Sequence, residues 1–204
     1  MNKDGLLKSI AETGYNVGFG AKKHFATFDI VDKTPGRLGF LGIAVGIFGL
    51  VFHQLASQVP SASLAVIGVA SLYISFYDHK KSAYESAGKD LTQIFNSLRD
   101  LYRSVESGAD PLISSAQLQI LENEYYRKSI SKQIFLSDWY AHYKFFSQHQ
   151  IDWIDEQKHF TIKDKVPLSF WVSMALLVLL VAATAIWWWI NPTGFCAFTS
   201  PIRG

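Results

Sequence analysis

Residues 38–77 read LGFLGIAVGIFGLVFHQLASQVPSASLAVIGVASLYISFY, forty positions without one Asp, Glu, Lys or Arg. A buried core helix rarely avoids charge for that long. The region around Pro60 divides the stretch into two segments of roughly 17 to 20 residues, the length one bilayer crossing needs. The expectation is a transmembrane helical hairpin over 37–77 with a very short turn at its outer end. A second uncharged stretch, VPLSFWVSMALLVLLVAATAIWWWI at 166–190, is also long enough to span and predicts a third transmembrane helix. Pro167 suits the start of that helix, and Asn191-Pro192 a stop. Trp187, Trp188 and Trp189 fall at its far end, where indole rings prefer the headgroup layer, and read as an interfacial anchor.

Composition agrees. Of 204 residues 49% are hydrophobic and 18% charged, against about 25% charged in soluble domains. A net charge of +2 with no arginine- or lysine-rich tract argues against nucleic acid as a partner. The single cysteine, Cys196, excludes a disulfide framework and a cysteine-based zinc site. It could be modified or pair between chains, or be an ordinary thiol of the tail. The N-terminal twenty residues lack a signal-peptide core, so insertion is expected to rely on the internal spans.

The loops set the orientation. Lys3, Lys8, Lys22, Lys23, Lys33 and Arg37 precede the first span, and the hairpin turn carries no Lys or Arg. Lys80 and Lys81 follow the second span, Lys163 and Lys165 precede the third, and Arg203 alone lies beyond it. The positive-inside rule then places residues 1–36 and 78–165 in the cytoplasm, and the hairpin turn and the short tail 191–204 outside.

The cytoplasmic parts read as helices. Leu7, Ile10, Gly14, Val17, Ala21, His24, Phe28 and Val31 recur in steps of three and four, an amphipathic seam over 1–36. A matching seam follows at Tyr84, Ala87, Leu91, Ile94, Leu98, Leu101 and Val105. With no strong breaker from Ser61 to Glu106, the second span is expected to continue as one rod of about 70 Å. Ser107–Pro111 predicts a turn with Asp110-Pro111 starting the next helix. From Ser114 to about His159 the chain again predicts helix, with Leu118, Leu121, Tyr125, Phe135, Trp139, His142, Phe146 and Trp153 along it. The fold class is therefore an all-α integral membrane protein: a transmembrane hairpin continuing into a cytoplasmic helical bundle, plus a third C-terminal span.

Several residues invite a role. Gly39, Gly42, Gly46 and Gly49 form a thin stripe on the first span, with Gly42 and Gly46 in GxxxG register. Either the stripe packs the hairpin against itself, or it meets neighbouring subunits. His53 and Gln54 lie roughly 24 Å along the helix from Arg37, near the outer edge of an apolar layer about 30 Å thick. They read as an interfacial pair or, in an oligomer, as the outer mouth of a pore. His149 with Asp152 and Glu156 with His159 imitate the Glu-x-x-His spacing of di-iron bundles. Such bundles need that motif from two helices and further core carboxylates, so no metal is expected. Tyr125, Tyr126, Arg127 and Lys128 could meet an anionic ligand. No nucleophile, base and oxyanion grouping occurs, which argues against an enzyme and calls for no cofactor.

The order of parts, a helix carrying GYNVGFGAKKHFATFDIVDK at 14–33, a tight two-span hairpin, then long cytoplasmic helices, resembles the SLATT domains. These are two-transmembrane effector modules associated with SMODS nucleotidyltransferases and SLOG nucleotide sensors in bacterial conflict systems. The resemblance covers about residues 5–160, and the extra span at 166–190 departs from it. It implies an inner-membrane effector of an anti-phage or other conflict system. Such an effector would oligomerise with copies of itself and permeabilise the bilayer when a nucleotide second messenger or a separate sensor protein signals. An alternative is a membrane-anchored helical scaffold that binds a cytoplasmic partner.

Overall fold

The structure is a computed structural model that describes residues 2–148, 151–161 and 163–190. Those residues form helices and no strand. The chain divides into two units, Met1–Thr161 and Ile162–Gly204.

The first unit begins with α1, Lys3–Gly49, capped by the Asn2 side chain, which accepts from the Gly5 N–H at 3.0 Å. One uninterrupted helix thus carries both the N-terminal seam and the first apolar segment. Its last buried residue is Val31, and beyond it lies Pro35. A proline inside a helix lacks the N–H that would meet the carbonyl four residues back, so the ladder is open at Val31. The break falls where the buried seam gives way to exposed apolar side chains. Packing on one side and uninterrupted apolar helix on the other keep α1 in one piece.

The helix ends at Gly49, with the Leu50 N–H shared between the Ile47 and Phe48 carbonyls. Phe52 is extended (φ −106°, ψ 99°), and His53–Ala56 form one turn of 3-10 helix. Helix α2, Gln58–Ser75, follows from an extended Ser57. The turn expected at Pro60 therefore lies earlier, over residues 50–57. Pro60 is the third residue of α2, where a missing N–H has no partner to lose. The hydroxyls of Ser63 and Ser75 donate to the carbonyls of Val59 and Ser71, so each is satisfied within its own helix.

The continuous rod expected from Ser61 to Glu106 is one helical stretch, Gln58–Glu106, that changes pitch once. After α2 a short 3-10 turn, Asp78–Lys80, intervenes before α3, Lys81–Glu106. Phe76, Tyr77 and Lys81 keep right-handed helical angles, so the chain tightens without reversing. Helix α3 then runs antiparallel to α1: the Asp32–Lys81 ion pair (3.0 Å) ties one end and Lys3 Nζ donating to the Glu106 carbonyl (2.7 Å) the other.

Between them lies the core. Leu6, Ile10, Val17 and Ala21 of α1 meet Leu91, Phe95, Leu98 and Val105 of α3. Every residue of the α3 seam read from the sequence is buried. In the α1 seam Phe28 alone is only half-buried. Helix α4, Pro111–Lys128, lies along α3, and Asp110 starts it by accepting from the Leu112 N–H at 2.8 Å. Asp110→Ala is expected to cost about 1 kcal/mol of stability, because that helical N–H loses its acceptor; thermal unfolding in detergent measures it.

The single helix expected over 114–159 is three helices. A strap, Ser129–Leu136, separates α4 from α5, Ser137–Gln148, and α6, Asp152–Lys158, follows. Phe145 of α5 and Trp153 and Ile154 of α6 close the core against α1 and α3. Phe135, expected along a helix, lies on the strap and is 72% exposed.

Among its described residues the second unit holds one helix, α7, Leu168–Ile190. It covers the stretch expected to form the third span, beginning just after Pro167. The tail 191–204, with Cys196, lies outside the described residues.

Candidate functional site

Among the described residues, one helical stretch is long and apolar enough to cross a membrane: α2 as it runs on toward α3. Ile74 is the only buried residue of α2. A water-facing helix with Val59, Val66, Val69 and Leu72 between 61% and 76% exposed would be an aggregation hazard. Lipid removes that hazard. The apolar part of α1, from Leu38 to Gly49, is about 18 Å long. It needs residues 50–57 to approach the ~30 Å hydrocarbon thickness.

The glycine stripe sits in this part of α1, and the structure distinguishes it from the glycines of the bundle. A Cβ built on Gly18 would lie 2.8 Å from the Phe95 ring and 2.9 Å from the Phe145 ring. On Gly88 it would meet Phe25 at 3.0 Å. Those glycines are there because another side chain fills their place. At Gly39, Gly42 and Gly46 nothing lies within 4 Å of an added Cβ, and at Gly49 only the Leu55–Ala56 backbone does, at 3.9 Å. Gly39 and Gly42 line an open cleft of about 270 Å³ with Leu64, Ile67, Gly68 and Ser71 of α2. The hairpin does not close on its own glycines.

His53 and Gln54 lie in the 3-10 turn itself, exposed, with the Ser57 hydroxyl donating to the Gln54 carbonyl at 2.8 Å. They are part of the connection between the two helices. Trp187, Trp188 and Trp189 close α7, but their side chains lie outside the described residues.

Other candidate groups have structural jobs. Glu156 accepts from the Tyr102 hydroxyl at 3.2 Å, and Asp152 begins α6. His149 lies outside the described residues. Among the described residues no three His, Cys, Asp or Glu side chains are placed to hold a metal ion. Arg127 and Lys128 are paired with Glu124 and Asp90, and Tyr125 packs against the core.

What the seam reading missed is a set of buried polar clamps on the strap. His24, 3% exposed on α1, bonds the Gly20 carbonyl through Nδ1 at 2.7 Å and accepts the Ile130 N–H at Nε2 at 2.9 Å. Those partners require the neutral ring protonated on Nδ1. Burial holds its pKa below the ordinary 6.5, helped by Lys23 and opposed by the Gly20 bond. Thr27 donates to Gln133 at 2.5 Å, and the Tyr84 hydroxyl to the Lys132 carbonyl at 2.6 Å. A histidine at a seam position is the one local signal of this arrangement. Its partner lies 106 residues further on.

Ion pairs gather at the same end of the bundle. Asp29 takes both Lys33, at 2.5 Å, and Lys144 of α5. Those hydrogen bonds hold its carboxyl below the usual range despite the opposing effect of burial.

No curated protein and no solved structure matches the chain. The family match begins with the bundle helix, takes in the hairpin, and ends within α7, leaving most of that helix outside. A helical bundle joined to one apolar hairpin is what a two-transmembrane domain requires, and with residues 1–174 matched the chain belongs to the family of SMODS and SLOG-associating 2TM effector domain 6.

Proposed function

We propose that this two-transmembrane effector domain acts as a homo-oligomer that permeabilises the bacterial inner membrane when a nucleotide or a separate sensor protein signals. The observation that carries the reading is the open glycine stripe. Gly39 and Gly42 line a cleft that the hairpin leaves unfilled, and nothing lies within 4 Å of a Cβ added at Gly46. In lipid, small residues let a second helix approach backbone to backbone, and a neighbouring copy supplies such a helix. In this assembly the bundle lies in the cytoplasm, His53 and Gln54 ring the outer mouth, α7 adds a third crossing, and Trp187–Trp189 anchor it at the far interface.

The test is regulated expression in bacteria with a membrane-potential dye. The parent is expected to depolarise the cells. Gly42→Leu and Gly46→Leu should insert normally and suppress the leak, since isobutyl groups would occupy the space a neighbouring helix needs. Full membrane potential at high expression, with and without the neighbouring genes, would overturn the reading.

One observation favours the scaffold alternative. Leu112, Ile113 and Ile120 stand 60–80% exposed on α4, and Ile120 borders a groove of about 430 Å³ against Ser97, Asp100, Leu101 and Ser104 of α3. A scaffold would tolerate both glycine substitutions, and substitution of Ile120 by Glu would release a defined partner in a pull-down.

A further inference from the structure

The strap and α5 leave an apolar surface exposed where the bundle meets the apolar hairpin. Phe135 is 72% exposed, Leu136 50%, Tyr140 36% and Tyr143 58%. Tyr140 and Tyr143 share one face of α5, and Leu136 lies just before that helix begins. Leu136 also has φ of +69°, a left-handed conformation that a leucine adopts only at a cost in strain. The fold thus strains a residue at the place where it turns two large apolar side chains outward.

Position says what they meet. Ile134, directly before them, is buried with Val31 and Ile74, packed against Ile30 and Tyr77. Ile74 is the one buried residue of α2 and lies a residue from its end. The strap therefore lies against the root of the candidate span. A second chain of contacts gives the same level for α5: the Lys144 ammonium sits 4.4 Å over the Tyr140 ring and pairs with Asp29, which also holds Lys33. Lys33 is five residues, about 7.5 Å along the helix, before the apolar run starts at Leu38. Exposed cations stand at the same level of the chain: Lys132 of the strap, placed 5.7 Å over the Tyr77 ring, Arg37 just before the apolar run of α1, and Lys80 in the turn after α2.

We propose that Phe135, Leu136, Tyr140 and Tyr143 form an interfacial membrane-docking face, inserted into the headgroup layer of the bilayer that α2 crosses. Aromatic rings and leucine beside Lys and Arg are the composition that headgroup interfaces select, with anionic lipid phosphates as counterparts of the cations. Ile134, next to Phe135, joins this face to Ile74 and Tyr77 at the root of α2, so one bilayer would cover both. The face fixes the bundle against the membrane at the root of the hairpin. The strap, clamped to α1 by His24 and Thr27 and to α3 by Tyr84, is the part that carries it.

The inference rests on α2 crossing a bilayer, and the experiment tests the two separately. The full chain with Cys196→Ala receives one cysteine at a time, Phe135→Cys, Val66→Cys or Asn123→Cys, labelled with an environment-sensitive fluorophore. Each labelled protein is reconstituted in vesicles of phosphatidylethanolamine and phosphatidylglycerol. The position-66 probe should be quenched by lipids spin-labelled deep in the acyl chain, and the position-123 probe by aqueous iodide. The position-135 probe should lose iodide quenching and respond to lipids spin-labelled close to the headgroup. If it is quenched by iodide like position 123 while position 66 sits in hydrocarbon, the docking face is refuted and the span stands. If it is shielded from iodide and from every spin-labelled lipid, protein covers it, and the proposal is equally overturned. If position 66 is itself reached by iodide, α2 does not cross and both readings fall.

Discussion

Gly18→Ala is expected to lower the stability of the bundle by about 3 kcal/mol, while Gly42→Ala leaves it unchanged or slightly higher. The new methyl at position 18 would lie 2.8 Å from the Phe95 ring and 2.9 Å from the Phe145 ring. Both rings are essentially buried, at 1% and 0% exposure. Neither has room to retreat: Phe95 packs on Trp153 with centroids 5.5 Å apart, and Phe145 meets the Tyr15 ring edge-on at 5.4 Å. Relief therefore requires α3 or α5 to move away from α1, opening contacts elsewhere in the core. At position 42 nothing lies within 4 Å, so alanine keeps only its intrinsic helical advantage, up to about 1 kcal/mol over glycine. Thermal unfolding of the detergent-solubilised protein, followed by circular dichroism, measures both. Phe145→Leu, combined with Gly18→Ala, should recover part of the loss by vacating the contested space. A Gly18→Ala protein that unfolds with the parent would show that α5 is not held against α1 as described.

That contrast marks where the sequence is readable and where it is not. Apolar steps of three and four disclosed the α1 and α3 seams, because each residue on such a face must be covered whatever covers it. Asp110-Pro111 disclosed a helix start, since the acceptor and the missing N–H are both local requirements. The turn over 50–57 was hidden because Leu50, Val51 and Phe52 are as apolar as the helix they end. Pro60 attracted the turn although a proline is equally at home in the first turn of α2. The strap at 129–136 contains neither Gly nor Pro. It leaves the helix because His24, Thr27 and Tyr84 bind its backbone and Gln133 from other helices, a long-range cause with no local signature. The glycines look alike in sequence. Only the presence of Phe95 and Phe145 at Gly18, and of nothing at Gly42, separates a glycine filled by its own fold from one that its fold leaves open.

Lowering the pH from 7.5 to 5 is expected to destabilise the bundle, with His24 and His142 the main contributors. Neutral His24 accepts the Ile130 N–H at Nε2. Its imidazolium would carry a hydrogen on that nitrogen, and donor would face donor. Lys23 beside it also disfavours the charged ring, while Tyr84 of α3, 6.3 Å away between ring centroids, is neutral throughout this range. His142 lies between the Phe19 and Phe146 rings; burial lowers its pKa, with Asp138 opposing. In the unfolded chain both rings take up protons near pH 6.5, whereas in the folded chain they resist until lower pH. The unfolded state thus binds more protons in this window, and stability rises with pH through it. The full contribution is present above about pH 6.5 and is lost as pH falls toward the folded values, at up to about 1.4 kcal/mol per pH unit for each ring. The Asp29 ion pairs lie outside the window, because a carboxyl held below 3.8 gives up its stabilisation only at more acid pH. His24→Ala should cost about 1–3 kcal/mol at pH 7.5 by leaving the Ile130 N–H buried without an acceptor, and should flatten part of the pH profile. Adding His142→Phe should flatten most of the remainder. Unfolding midpoints for the parent, the single variant and the double variant at each pH measure this directly. A double variant that keeps the parent's full slope between pH 7 and 5 would remove both histidines as its source, and with them the neutral ring as the clamp on the strap.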